Sequence, residues 1–157
     1  MEQAVLERPA TQAEGQQERC ERAASARTAD EQSAGRRNKA LGARGEEAAA
    51  RFLDRRGYDI LERNWGCFAG EADIIAKDGD TVVFVEVKTR KDCSRGFPSE
   101  AVTSEKRSRY EKIALAYLAD FDQTDFPVRF DVVAIVVMGP GKAMVRHHIN
   151  AFSVVER

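Results

Sequence analysis

Residues 70–90 read GEADIIAKDGDTVVFVEVKTR: two β-patterned runs, GEADIIA and TVVFVEVK, separated by KDGD. Asp78-Gly79 between β-branched runs is a strong hairpin signal. With those two as the turn residues, Lys77 faces Asp80, Asp73 faces Phe84 and Glu71 faces Glu86. Opposed residues of an antiparallel pair share a face, and side chains alternate along each strand. Glu71, Asp73, Glu86 and Lys88 therefore project to one side, with Val83, Val85 and Val87 on the other.

Four charges on strands this apolar need a reason. In that register Asp73 and Glu86 are diagonal neighbours, roughly 7–8 Å apart along the backbone, near enough for both carboxylates to converge on one ion. Like charges face to face repel, and a carboxylate cluster on a buried sheet is costly to desolvate unless something positive sits among it. A divalent cation relieves both. Hard cations such as Mg²⁺ take oxygen ligands from one or two carboxylates and complete their shell with water and substrate phosphate. Lys88, one side-chain period beyond Glu86, is placed to hold an attacking water, so the set has the parts for metal-assisted phosphodiester hydrolysis. The competing reading is an exposed sheet face with ordinary cross-strand ion pairs. The apolar strands and the alignment of Asp73 with Glu86 favour the ion site, while Glu71 can equally face solvent at the start of its strand.

Upstream, LGARGEEAAARFLDRR (residues 41–56) carries Leu41, Ala49, Phe52 and Leu53 on one stripe, with Gly57 as a C-cap, and predicts a helix. Glu46 falls on that inward stripe and Glu47 points outward. Glu46 either reaches the acidic cluster or complements the positive helix N-terminus. YDILERNW then reads as a strand. Downstream, a loop with Gly96 and Pro98 precedes SEKRSRYEKIALAYLAD, where Tyr110, Ile113, Ala114, Tyr117 and Leu118 recur at helical spacing. RFDVVAIVV is apolar enough for a central strand, and MVRHHINAF is a weaker last one. The order is α, β, β, β, α, β, β.

Residues 1–38 are rich in Glu, Gln, Ala, Arg and Ser with no apolar period, which predicts a disordered tail, its Ala and Glu content permitting transient helix, ahead of one domain over residues 39–157. The chain has 157 residues, 43% apolar, enough for a single core. Three cysteines, Cys20, Cys67 and Cys93, lie far apart without zinc-ligand spacing, so a reducing cytoplasm is the expectation. No run approaches the ~20 apolar residues of a membrane span. A net charge of −1 argues against coating nucleic acid by bulk charge. Between Lys88 and Lys112, however, eight basic residues stand against four acidic ones, so a polyanion would be met there or the residues form a solvated face.

The run R-G-E at residues 44–46, GEADII, FVEVKTR, AVTSEKRSRYEKIALAYL and RFDVVAI closely resemble the YraN-like family of small, uncharacterised bacterial proteins, over about residues 41–152. That family is similar to the PD-(D/E)xK nuclease superfamily, which includes Holliday-junction resolvases and restriction endonucleases. The resemblance implies an α/β fold, a restriction-endonuclease-like αβββαβ core with a mixed sheet flanked by helices. It carries the motif Asp onto Asp73, the Glu onto Glu86, the Lys onto Lys88 and the helix-one Glu onto Glu46. It implies Mg²⁺ or Mn²⁺ held by Asp73, Glu86 and Glu46, with branched or damaged DNA as the candidate substrate. The superfamily's Pro-Asp is here Ala72-Asp73, which keeps the ligand.

Arg90, Lys106 and Arg109 flank the site or stand near the start of helix two and are candidate phosphate contacts, or else they solubilise a helix face. Tyr110 and Tyr117 read as core, and Trp65 as packing rather than a base platform. His147 and His148 are adjacent, hence on opposite faces. Asp131 and Arg129, in period-two register, predict an internal ion pair. Cutting two strands favours a homodimer, although the sequence has no interface signature. The rival to a nuclease is a non-catalytic nucleic-acid-binding or partner-binding module on the same fold; an adaptor recruiting through its tail is a third reading.

Overall fold

The computed structural model describes residues 11–92, 94, 102–121 and 125–152. The elements are α1 (Thr11–Arg55), β1 (Asp59–Cys67), β2 (Gly70–Asp78), β3 (Thr81–Arg90), α2 (Ser104–Leu118), β4 (Val128–Gly139) and β5 (Lys142–Phe152). The chain divides into two compact units, Met1–Lys39 and Ala40–Arg157. α1 begins at Thr11 rather than near Leu41, so residues 11–38, expected from sequence as a disordered tail, are helical here. Ala, Glu, Gln and Arg all favour helix intrinsically, even where no apolar stripe marks it. The loop with Gly96 and Pro98 lies outside the described residues.

In the second unit the strands form one sheet in the order β1-β2-β3-β4-β5. β1, β2 and β3 pair antiparallel in sequence, β3 and β4 run parallel, and β5 returns antiparallel to β4, so the sheet is mixed, as expected. Parallel neighbours need a crossover, and α2 lies within it. Tyr110, Ile113, Ala114 and Tyr117 of α2 cover one face of the sheet over Ile75, Phe84, Phe130 and Val132. Ala49, Ala50 and Leu53 of α1 cover the other over Ile74, Val83, Val85, Val133 and Ile135. β3 and β4 are thus buried on both faces, which is why they read as near-continuous apolar runs.

The central hairpin differs from its sequence reading by one turn position. Asp78 pairs with Thr81, Lys77 with Val82 and Ile74 with Val85, so the turn residues are Gly79 and Asp80 rather than Asp78 and Gly79. Gly79 has φ 59° and Asp80 is not in the positive region. A type I′ turn would need positive φ at both central residues, whereas a type II′ turn reserves only the first for glycine. The expected pairs Asp73 with Phe84 and Glu71 with Glu86 are therefore displaced by two residues. An even displacement keeps the parity of each strand, and β2 alternates from Ile74 to Ala76, whereas Ala72 joins Ile75 on the α2 side.

Candidate active site

The sheet forks at the acidic residues. β2 and β3 pair from Asp78 and Thr81 up to Ile74 and Val85, and there their pairing ends. Beyond that point β2 stays with β1, through Trp65 with Ala72 to Cys67 with Gly70, while β3 stays with β4, from Glu86 with Val132 to Arg90 with Val136. Asp73 and Glu86 are the first residues past the last shared rung. In place of the missing ladder bond, Asp73 Oδ2 accepts the backbone N–H of Val87 at 2.7 Å. The Asp73 carboxylate is thereby fixed in the crotch of the fork, next to Glu86.

Glu86 is 9% exposed and is held from α2. Its Oε1 accepts from Lys106 Nζ at 2.5 Å and its Oε2 from the Tyr110 hydroxyl at 2.6 Å, with Arg109 Nη2 at 3.9 Å. Lys106 and Tyr110 are four residues apart and therefore share one helix face. Thr103 caps the N-terminus of α2, accepting the Lys106 N–H at 3.3 Å, and so seats that turn over β3.

Glu46 lies near enough to Asp73 to act on its charge, and α1 meets β3 closely at this point. Gly45 is buried against Thr89, and a Cβ there would collide with the threonine side chain. Glu46 is half-buried, whereas its neighbour Glu47 turns away to Arg51 and Arg63, each at 2.8 Å. Glu71 is exposed. Lys88 and Arg90 are half-buried and follow Glu86 on its side of β3 by strand alternation.

The two central acids differ electrostatically. Burial pushes the Glu86 carboxyl up, but its bonds to Lys106 and Tyr110, together with the charges of Lys106 and Arg109, outweigh that and hold it below the usual carboxylate range. Asp73 is pushed up to about 7, chiefly by burial, which the Val87 N–H opposes and the carboxylates of Glu86, Glu46 and Glu71 reinforce. Three other acids thus act on Asp73, whose charge is left in surplus. Among the described residues no group of three His, Cys, Asp or Glu is placed to hold a metal ion as it stands. Carboxylate oxygens are the donors a hard cation takes, but both oxygens of Glu86 are engaged by Lys106 and Tyr110.

Sequence reasoning placed Lys106 and Arg109 at a phosphate, and here both lean on Glu86. It took Tyr110 for core alone; the ring is core, and the hydroxyl is a site group. The signal was the i, i+4 spacing from Lys106. Trp65 packs edge-on against Tyr117 at 5.2 Å. Asp131 and Arg129 form the expected ion pair at 2.9 Å, which His147 joins from β5.

A mixed five-stranded sheet flanked by two helices is the architecture of the restriction-endonuclease-like α/β class. Residues 45–135 match the Uncharacterised protein family UPF0102, and the chain belongs to that family, a YraN-like branch of the PD-(D/E)xK superfamily. A UPF0102 protein of Geobacter sulfurreducens is 47% identical over 117 residues, covering 74% of this chain and 91% of the relative. One of Nocardia farcinica is 52% identical over 112 residues, covering 71% and 87%. One of Beutenbergia cavernae is 47% identical over 108 residues, covering 69% and 92%.

Proposed function

We propose that this protein is a Mg²⁺- or Mn²⁺-dependent endonuclease that hydrolyses DNA phosphodiester bonds. The observation that carries the reading is Asp73, a carboxylate pushed up to about 7 by burial and by three neighbouring acids, with Lys88 one side-chain period beyond Glu86. Perturbed acids clustered beside a lysine are a common mark of a functional site. A bound divalent cation would supply Lewis-acid polarisation of a phosphate oxygen and a water of lowered pKa. Asp73, Glu46 and Glu86 hold it. Lys88 orients the attacking water, and Arg90, Lys106 and Arg109 take the phosphates on either side. Branched or damaged DNA is the substrate class, a cytoplasmic homodimer the working assembly; no described helix is long and apolar enough to cross a membrane.

Purified protein incubated with branched, flapped and single-stranded DNA and Mg²⁺ or Mn²⁺ should give nicked products. Asp73→Ala should lower the rate on the order of 10⁴-fold, the scale of losing one member of a catalytic set. Equal cutting by that variant overturns the assignment.

One observation favours a second reading. Both Glu86 oxygens are held by α2, as they would be in a nucleic-acid-binding or partner-binding module without turnover. Such a module would bind DNA in a salt-dependent manner, indifferent to EDTA and to Lys88→Ala, and give no product with any metal.

A further inference from the structure

Cys67 pairs with Gly70, which leaves Phe68 and Ala69 as the tip of the β1–β2 hairpin. Phe68 is 87% exposed, more than any other large apolar side chain described. A single exposed aromatic is ordinary by itself. The surroundings of this one are not.

The ring borders a concavity of about 570 Å³ that it shares with Ser104, Glu105, Ser108, Arg109 and Lys112 of α2. Two cations and two hydroxyls therefore flank an open aromatic ring, with a single carboxylate opposing them. Arg109 connects this concavity to the candidate active site. Its aliphatic stem lies under the hairpin tip, where a Cβ on Gly70 would come within 3.1 Å of Arg109 Cδ, and its Nη2 is 3.9 Å from Glu86. Arg109 Nε is buried and finds no acceptor among the described residues. Asp73 is three positions along β2 from Gly70, about 10 Å at the rise of a strand.

An aromatic face beside cations and hydroxyls is the chemistry that recognises an unpaired nucleobase with its phosphates. A paired base inside a duplex presents no free face to such a ring. We infer that Phe68 is a stacking platform for an unpaired base close to the scissile position, with flanking phosphates on Arg109 and Lys112. The site then takes single-stranded, flapped or branched DNA in preference to continuous duplex. The inference rests on the nuclease reading above and names its substrate class.

Binding to the full chain in EDTA tests it without any cutting. The probes are a dye-labelled single-stranded oligonucleotide, the same strand carrying 2-aminopurine, and a blunt duplex of equal length. Phe68→Ala should weaken single-strand binding by roughly fivefold to a hundredfold, the usual loss of one stacked base, and leave duplex binding unchanged. It should also abolish the quenching of 2-aminopurine that the wild type produces, and Phe68→Tyr should restore both. Single-strand binding unaffected by Phe68→Ala, or equal losses on the single strand and the duplex, overturns the platform while leaving the nuclease reading intact. Wild-type protein that binds no DNA in any form removes both.

Discussion

Asp131 and Asp73 are both drawn out of water, the first wholly and the second in part, and their surroundings treat them oppositely. Asp131, on the α1 side of β4, is 0% exposed yet fully answered. It accepts from Arg129 at 2.9 and 3.1 Å, from His147 Nε2 at 2.8 Å and from the Asn150 N–H at 2.9 Å. Arg129 also reaches Asp78 at 3.0 Å and the Tyr58 hydroxyl at 2.8 Å, so this cluster ties β5, the central hairpin and the connection from α1 to β1 together. Burial pushes the Asp131 carboxyl up, but those bonds outweigh it and hold it below the usual range. Asp73 has one N–H and three acidic neighbours, and is pushed up to about 7. Burial alone does not mark a functional acid; charge left unanswered does.

If Asp131 is structural, its removal should be costly to the fold. Asp131→Ala strands Arg129 and His147 against each other and should lower unfolding free energy by about 3–5 kcal/mol, the usual cost of breaking a buried pair from one side. Urea denaturation followed by circular dichroism reads this directly. Because the folded carboxyl is depressed, its contribution is present above the unfolded value of 3.8 and lost as pH falls through the folded one. The gap between wild type and variant should therefore narrow below about pH 4. A variant as stable as wild type at pH 7 would dissolve the contrast.

Asp73 should behave in reverse. Its folded pKa lies above its unfolded value, so the folded state binds the extra proton and loses stability as pH rises from about 4 to about 7. Asp73→Asn keeps an acceptor for the Val87 N–H and removes the unanswered charge. Metal-free Asp73→Asn should be more stable than wild type at pH 8 by about 1–2 kcal/mol, after discounting for partial solvent screening, and barely different at pH 4. Thermal melts across pH check the sign, and a gain that does not vary with pH would mean that the acid carries no surplus charge.

The charges in the central hairpin were legible because β3 and its neighbours are too apolar for an exposed face, and the α, β, β, β, α, β, β order followed from periodicity and turn residues. The Asp-Gly dipeptide gave the hairpin but not its register, since glycine serves either central position and only the backbone angles decide which. The error cost nothing at the site, because a displacement of two keeps the parity of each strand. The start of α1 had no sequence signal, as its N-terminal residues carry helix propensity without an apolar stripe. The grip of α2 on Glu86 was equally hidden. It depends on the crossover laying Lys106 and Tyr110 over β3, a tertiary fact that helical spacing constrains but does not determine. Gly45 belongs with these: its need for glycine appears only once α1 meets Thr89.

That grip also offers the finest test of the contrast between the two acids. In the Asp131 cluster the guanidinium of Arg129 is a structural partner, whereas at Glu86 the ammonium of Lys106 occupies the carboxylate that a divalent ion would use. If Lys106 is a competitor, Lys106→Met should tighten Mn²⁺ binding, read by electron paramagnetic resonance or calorimetry on DNA-free protein. The gain should be small, about two- to fivefold, because the Lys106 side chain is 38% exposed and half-solvated ion pairs are worth at most about 1 kcal/mol. The Tyr110 hydroxyl would still hold one oxygen of Glu86 in place, so the variant keeps the carboxylate aimed at the fork. Weaker Mn²⁺ binding would instead make Lys106 a prop for Glu86, as Arg129 is for Asp131. The two acids would then differ only in how much charge surrounds them, not in how their cations serve them.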